Sequence, residues 1–163
     1  PCMKKQHLHE LISEIQEEFL FLERLVVEIG KTCGEMKRHP AMKGVYEESL
    51  ALKLHNFYTG CERIFHTIAD DMNGGAPSSF EWHKRLLKSM SLAIEGKRPP
   101  VISKATKKEL EEFLAFRHVI RNIYGFEIDS ERLHGLLEKV GRVFERFKKD
   151  IVKFLGFLRS MAR

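Results

Sequence analysis

The sequence predicts an all-α protein, an up-and-down bundle of four to five helices. Three observations lead there. Apolar residues recur at spacings of three and four through nearly the whole chain, and no segment alternates with period two for long enough to make a strand. Breakers at Pro40, at Gly74, Gly75 and Pro77, at Gly96, Pro99 and Pro100, and at Gly125 cut the chain into pieces of helix length. The 163 residues, 43% apolar and 31% charged, suit one domain spanning residues 1–163 with a core of ordinary size.

In the first segment Leu8, Leu11, Ile15, Phe19, Leu22, Val26 and Ile29 share one helix face. The second repeats the pattern with Leu50, Leu54, Phe57, Cys61, Ile64 and Ile68. Ser78 and Glu81 have the spacing of a capping box for a shorter third helix with Trp82, Leu86, Met90 and Ala93 on one side, and Thr106 and Glu109 have it for a fourth. The fifth is the most regular: after an Asp129/Ser130 cap, Leu133, Leu137, Val140, Phe144, Phe147, Ile151, Phe154 and Leu158 alternate by fours and threes. Short loops between such helices favour antiparallel neighbours, and the long apolar stripes invite dimerisation.

Composition narrows the function classes. Apolar runs stop at four residues (Phe19 to Leu22, Phe113 to Phe116), against the roughly 20 needed to cross a bilayer. Lys4 and Lys5 lead into an amphipathic stretch, so no secretory leader is expected, and Pro1 is expected to follow removal of the initiator Met. Cys2, Cys33 and Cys61 are odd in number and lack metal-ligand spacing, which points to reduced thiols in a cytoplasm. The net charge of +5 is unevenly spread: residues 1–35 sum to −3, whereas residues 83–108 hold eight basic residues against Glu95 alone, and residues 142–163 hold seven against Glu145 and Asp150. Two such basic stretches either attract phosphates or simply solvate helix faces.

The fourth helix has a cation where a bundle prefers leucine. On a helical wheel Leu110, Phe113, Leu114, Ile120 and Tyr124 fall within about 60° of Arg117, and Arg121 lies about 40° away. A guanidinium cannot deprotonate, so burying it requires a carboxylate, a phosphate or a water-filled cleft. Either Arg117 pairs with a second-helix glutamate such as Glu62 or snorkels to the rim, or it and Arg121 face a cleft that receives phosphate.

The run from Phe116 to Gly125 (FRHVIRNIYG) resembles the signature region of the HEPN superfamily, specifically of HepT-like ribonuclease toxins encoded beside minimal nucleotidyltransferase antitoxins in type VII toxin–antitoxin modules. That motif is Arg, a polar residue, three variable residues, His, one residue, Tyr, near the end of a bundle helix. It falls here on Arg117, His118, Asn122 and Tyr124, with Asn122 in the histidine position. Asn56 to Ile64 and Trp82 to Leu87 are also similar to the family, and the likeness covers about residues 45–130.

The resemblance implies a homodimer whose motif helices line one cleft, a metal-independent endoribonuclease with no cofactor, and neutralisation by AMP transfer to Tyr124 from a nucleotidyltransferase antitoxin. It makes Arg117, Asn122 and Tyr124 the catalytic residues, with Arg121, His118, His83 and Lys84 as RNA- or phosphate-binding groups. Asn122 cannot exchange a proton near neutral pH as imidazole does, so His118 or His83 is the available substitute. The rival readings are a catalytically impaired HEPN module that binds RNA or its nucleotidyltransferase, and a helical scaffold with no nucleic-acid role. Other constellations are weak: Gly74-Gly75 lacks the Lys-Ser/Thr of a phosphate loop, and His66 with Asp70 is a lone pair with metal-ligand spacing.

Overall fold

A computed structural model describes residues 5–121 and 127–163. Five α-helices carry the fold: α1 (Lys5–Arg38), α2 (Lys43–Met72), α3 (Trp82–Met90), α4 (Lys104–Arg121) and α5 (Ser130–Ala162), with a 3₁₀ turn at Pro40–Met42 joining the first two. No strand occurs among the described residues; Ile94 and Arg98 form one isolated bridge in the α3–α4 loop.

Helices α1 and α2 form an antiparallel hairpin. Contacts between Leu22 and Gly60, Glu18 and Arg63, and His7 and Asp71 run in opposite directions along the two helices. A Cβ on Gly60 would lie 2.5 Å from Leu22 Cδ2, so the absence of a side chain is what lets the two helices approach mid-length. Helix α2 is the hub, packed against each of the other four. Its face of Leu50, Leu54, Phe57, Cys61, Ile64 and Ile68 is wholly buried. Phe57 meets Phe113 of α4 edge-on at 5.2 Å and Phe144 of α5 at 6.5 Å, while Phe19 of α1 stacks on Phe144 at 5.5 Å. Such ring pairs add specificity beyond the area they bury.

The caps sort differently from the sequence expectation. Asp129 does cap α5, accepting from Arg132 N at 3.0 Å. For α4 the cap moves back three residues: Ser103 Oγ accepts from Thr106 N, and Thr106 is buried inside the first turn, its hydroxyl donating to Asp150 of α5 at 2.6 Å. Glu109 turns instead to Arg146 and Arg142 of α5. The Ser78/Glu81 box does not form, because α3 starts only at Trp82 and Glu81 points to Lys84. Ala93, expected on the apolar side of α3, lies past its end and is exposed.

No described helix is long and apolar enough to cross a membrane. Cys33 and Cys61 are free thiols, and burial pushes the Cys61 thiol far up.

Candidate functional site

Helix α4 delivers Arg117 into the interior. Leu110, Phe113, Leu114 and Phe116 bury the same helix against α2 and α5, and Arg117 follows them inward with only 7% of its surface exposed. Helix α2 meets it with Thr59 and Glu62, three residues apart and therefore on one face. Arg117 Nε donates to Thr59 Oγ1 at 3.2 Å. Its Nη2 lies 3.7 Å from Glu62 Oε1, an ion pair without hydrogen-bond geometry. Nη1 is buried with no hydrogen-bond partner.

The other oxygen of Glu62 holds α3. Glu62 Oε2 accepts from His83 Nδ1 at 2.7 Å, so one buried carboxylate joins a guanidinium and an imidazole. His83 is fixed further by stacking on Trp82, ring centroids 3.5 Å apart, and by the edge of His118 at 5.2 Å. Trp82 meets His66 of α2 on its other side at 5.1 Å, which makes a row of four rings from α2 across α3 to α4. Burial, then the charges of His83 and Arg117, hold the His118 imidazole below its ordinary value. Tyr58 sits beneath, its hydroxyl buried and unpartnered; burial, then the Glu62 charge, push that phenol well above 10.

Two grooves flank the cluster and differ in charge. Between α1 and α2 a groove of about 620 Å³ is lined by Glu14, Glu17, Glu18, Glu62 and Asp70 against Arg24 and Arg63, with Thr59 among them. Between α3 and α4 a smaller one, about 310 Å³, has Leu87 and Leu114 as floor and Lys84, Lys88, Lys107, Glu111 and His118 around it, with Lys107 paired to Glu111. An anion entering from solvent is drawn to the second.

Of the residues singled out in the sequence, the fold brings Arg117, His83 and His118 together and puts Lys84 on the basic groove beside them. Arg121 is exposed at the last residue of α4. Asn122 and Tyr124, and the expected helix stop at Gly125, lie outside the described residues. Thr59 touches Arg117 and Trp82 stacks on His83, contacts that no sequence motif marks. The signal was present for one of them: Thr59 and Glu62 are polar residues three apart on the helix facing an arginine-bearing stripe. Three of the seven bases of the α5 run are engaged elsewhere, Arg142 and Arg146 with Glu109 and Lys148 with Glu23. His66 and Asp70 approach to 3.9 Å, and no group of three or more candidate metal ligands occurs among the described residues.

The sequence profile of the HepT-like protein family matches residues 49–158, more than half of the chain, and the chain belongs to that family of HEPN-type proteins of toxin–antitoxin modules. The match runs from α2 to the end of the α5 core and leaves α1 outside. No curated protein and no solved structure matches the chain.

Proposed function

We propose that this protein is the toxin of a HEPN/minimal-nucleotidyltransferase module: one domain spanning residues 1–163, cytoplasmic and homodimeric, that cuts RNA without a metal or cofactor. The observation that carries the reading is Arg117. Its guanidinium is buried, one nitrogen has no partner, and the carboxylate beside it stands at 3.7 Å, too far to saturate it. A phosphate oxygen supplies the missing acceptor, and the fixed cation then stabilises the charge that builds on phosphorus as the bond breaks. On this reading the RNA backbone lies along the groove of Lys84 and Lys88 beside His118, Arg121 adds a further exposed cation, and Asn122, in the motif's histidine position, serves the ribose 2′-hydroxyl through its amide.

Neutralisation follows from the same charges. AMP transferred to Tyr124 by the partner nucleotidyltransferase adds negative charge that repels the RNA backbone. Intact-mass measurement after co-expression with that enzyme is expected to show added multiples of AMP on Tyr124.

The test of the main reading is incubation of the purified protein, and of Arg117→Ala, with total RNA. Cleavage by the first and a loss of about 10²- to 10³-fold in the second are expected. Asn122 in the motif's histidine position favours a second reading, a module that binds RNA or its nucleotidyltransferase without cutting. Salt-sensitive RNA binding with no cleavage by the unaltered protein selects that reading instead.

A further inference from the structure

We propose that His83, contributed by α3, is the proton-transfer residue of the site and that Glu62 is its positioning residue. The inference rests on the endoribonuclease reading above and says which group does the acid–base work there. The geometry that carries it is a shared carboxylate: Glu62 Oε2 takes the His83 Nδ1 proton at 2.7 Å while Oε1 faces the guanidinium of Arg117. A phosphate on Arg117 is therefore one carboxylate away from an imidazole whose tautomer is set.

With Nδ1 donating to Glu62, Nε2 is the nitrogen that bears the lone pair. Among the described residues no hydrogen bond engages that nitrogen, and the His83 side chain keeps 11% of its surface open. The ring cannot swing away, being stacked on Trp82 and met edge-on by His118. A histidine that only filled space would need neither a buried carboxylate nor a charged neighbour. Glu62 is buried at a desolvation cost that a neutral glutamine would avoid, and the return is stabilisation of the imidazolium when it forms.

The chemistry balances without any added reactant. Nε2 of His83 takes the proton of the ribose 2′-hydroxyl, and the 2′-oxygen forms a bond to phosphorus. Arg117 holds the non-bridging oxygens as negative charge grows. The bond from phosphorus to the 5′-oxygen then breaks, and the His83 imidazolium returns its proton to that oxygen. The products are a 2′,3′-cyclic phosphate and a 5′-hydroxyl, and the histidine ends as it began. Neither Asn122 nor Arg117 can carry that proton.

The experiment follows a fluorescent oligoribonucleotide with the full-length protein. His83→Gln keeps a donor toward Glu62 but cannot shuttle a proton: cleavage is expected to fall 10²-fold or more, with melting temperature and binding of the 2′-deoxy oligonucleotide unchanged. His83→Ala leaves a cavity, and millimolar imidazole is expected to restore part of its activity. Glu62→Gln is expected to lower kcat while KM holds, the mark of a group acting through another. A His83→Gln protein that cuts at the original rate, or a His83→Ala protein that imidazole does not restore, overturns the proposal and leaves the endoribonuclease reading standing. An unaltered protein that cuts nothing overturns both.

Discussion

Two arginines are buried in this molecule, and they are buried in opposite ways. Arg98, in the loop between α3 and α4, is 4% exposed and spends its donors on neutral acceptors: Nε on Asn73 Oδ1 at 2.9 Å, Nη1 on the carbonyls of Leu92 and Pro99, and Nη2 on that of Ser89. Arg117, 7% exposed, has one hydrogen bond, one loose ion pair and one nitrogen without a partner. Burial is nearly equal, so burial does not distinguish them. Saturation does. Arg98 ties the backbone of a thirteen-residue connection to α2 and to the end of α3, with no donor group left for a ligand. Arg117 has unspent capacity, held rigidly where α2, α3 and α4 converge, and unspent capacity inside a protein is costly unless something arrives to use it.

The sharpest way to break that contrast is to replace each arginine with methionine and read stability and cleavage together. Arg98→Met strips partners from Asn73 and three carbonyls at once, and is expected to lower unfolding free energy in urea by roughly 3 kcal/mol while leaving cleavage per folded molecule near normal. Arg117→Met removes a guanidinium that was poorly compensated, and Glu62 keeps its 2.7 Å bond to His83. It also leaves the buried Glu62 carboxylate with the His83 bond and no guanidinium, so unfolding free energy is expected to fall by about 1–3 kcal/mol, whereas cleavage falls by two to three orders of magnitude. If the two effects exchange places, Arg117 is the structural residue and the site reading fails.

Part of this contrast is legible in the sequence. The apolar stripes placed α1, α2 and α5 correctly because period 3.6 is a property of the sequence itself: Leu8, Leu11, Ile15, Leu22 and Ile29 are all buried, as are seven of the eight α5 positions, Leu137 being half-buried. Arg117 was legible for the same reason, as a cation that breaks a stripe, and Glu62 was legible as its complement. Arg98 was not. It sits in a segment with no periodicity, among Gly96, Pro99 and Pro100, and its partners are backbone carbonyls, which carry no residue-specific signature. The cap of α4 was misplaced because Ser103 and Thr106 are equally good cap residues by type, and the choice between them is made by Asp150, 44 residues further on. The pairing of His83 with Glu62 likewise depends on how a nine-residue helix lies across α2, which no local pattern encodes.

A smaller effect separates the two basic stretches in the way the two arginines are separated. Lys84 and Lys88 rim the groove beside His118, Lys84 with only the exposed Glu81 three residues back as partner, while Arg146 and Lys148 are tied across the bundle to carboxylates of α4 and α1. Lys84→Ala is expected to reduce the slope of log Kd for RNA against log salt by about 0.7 to 1, with affinity falling a few-fold at moderate salt. Lys148→Ala is expected to leave the slope alone. Equal losses in both would mean that RNA reads the whole basic surface rather than one groove.

The smallest expected effect concerns the ring that reports on Arg117. Burial, then the charges of His83 and Arg117, hold the His118 imidazole below 6.5; Lys84 acts in the same direction, and Glu62 opposes them. The folded protein therefore takes up this proton less readily than the unfolded chain. Between the unfolded value and the lower folded one, the unfolded state binds more protons, so the ring's contribution is complete above about pH 6.5 and is lost as pH falls below it. Urea unfolding at pH 7.5 and at pH 5 is expected to show a drop that His118→Gln reduces. Arg117→Met removes one of the charges that hold the ring down and is expected to reduce the drop as well, but by less, since burial is the larger cause. Arg98→Met, whose guanidinium is not among those charges, is expected to leave the drop intact.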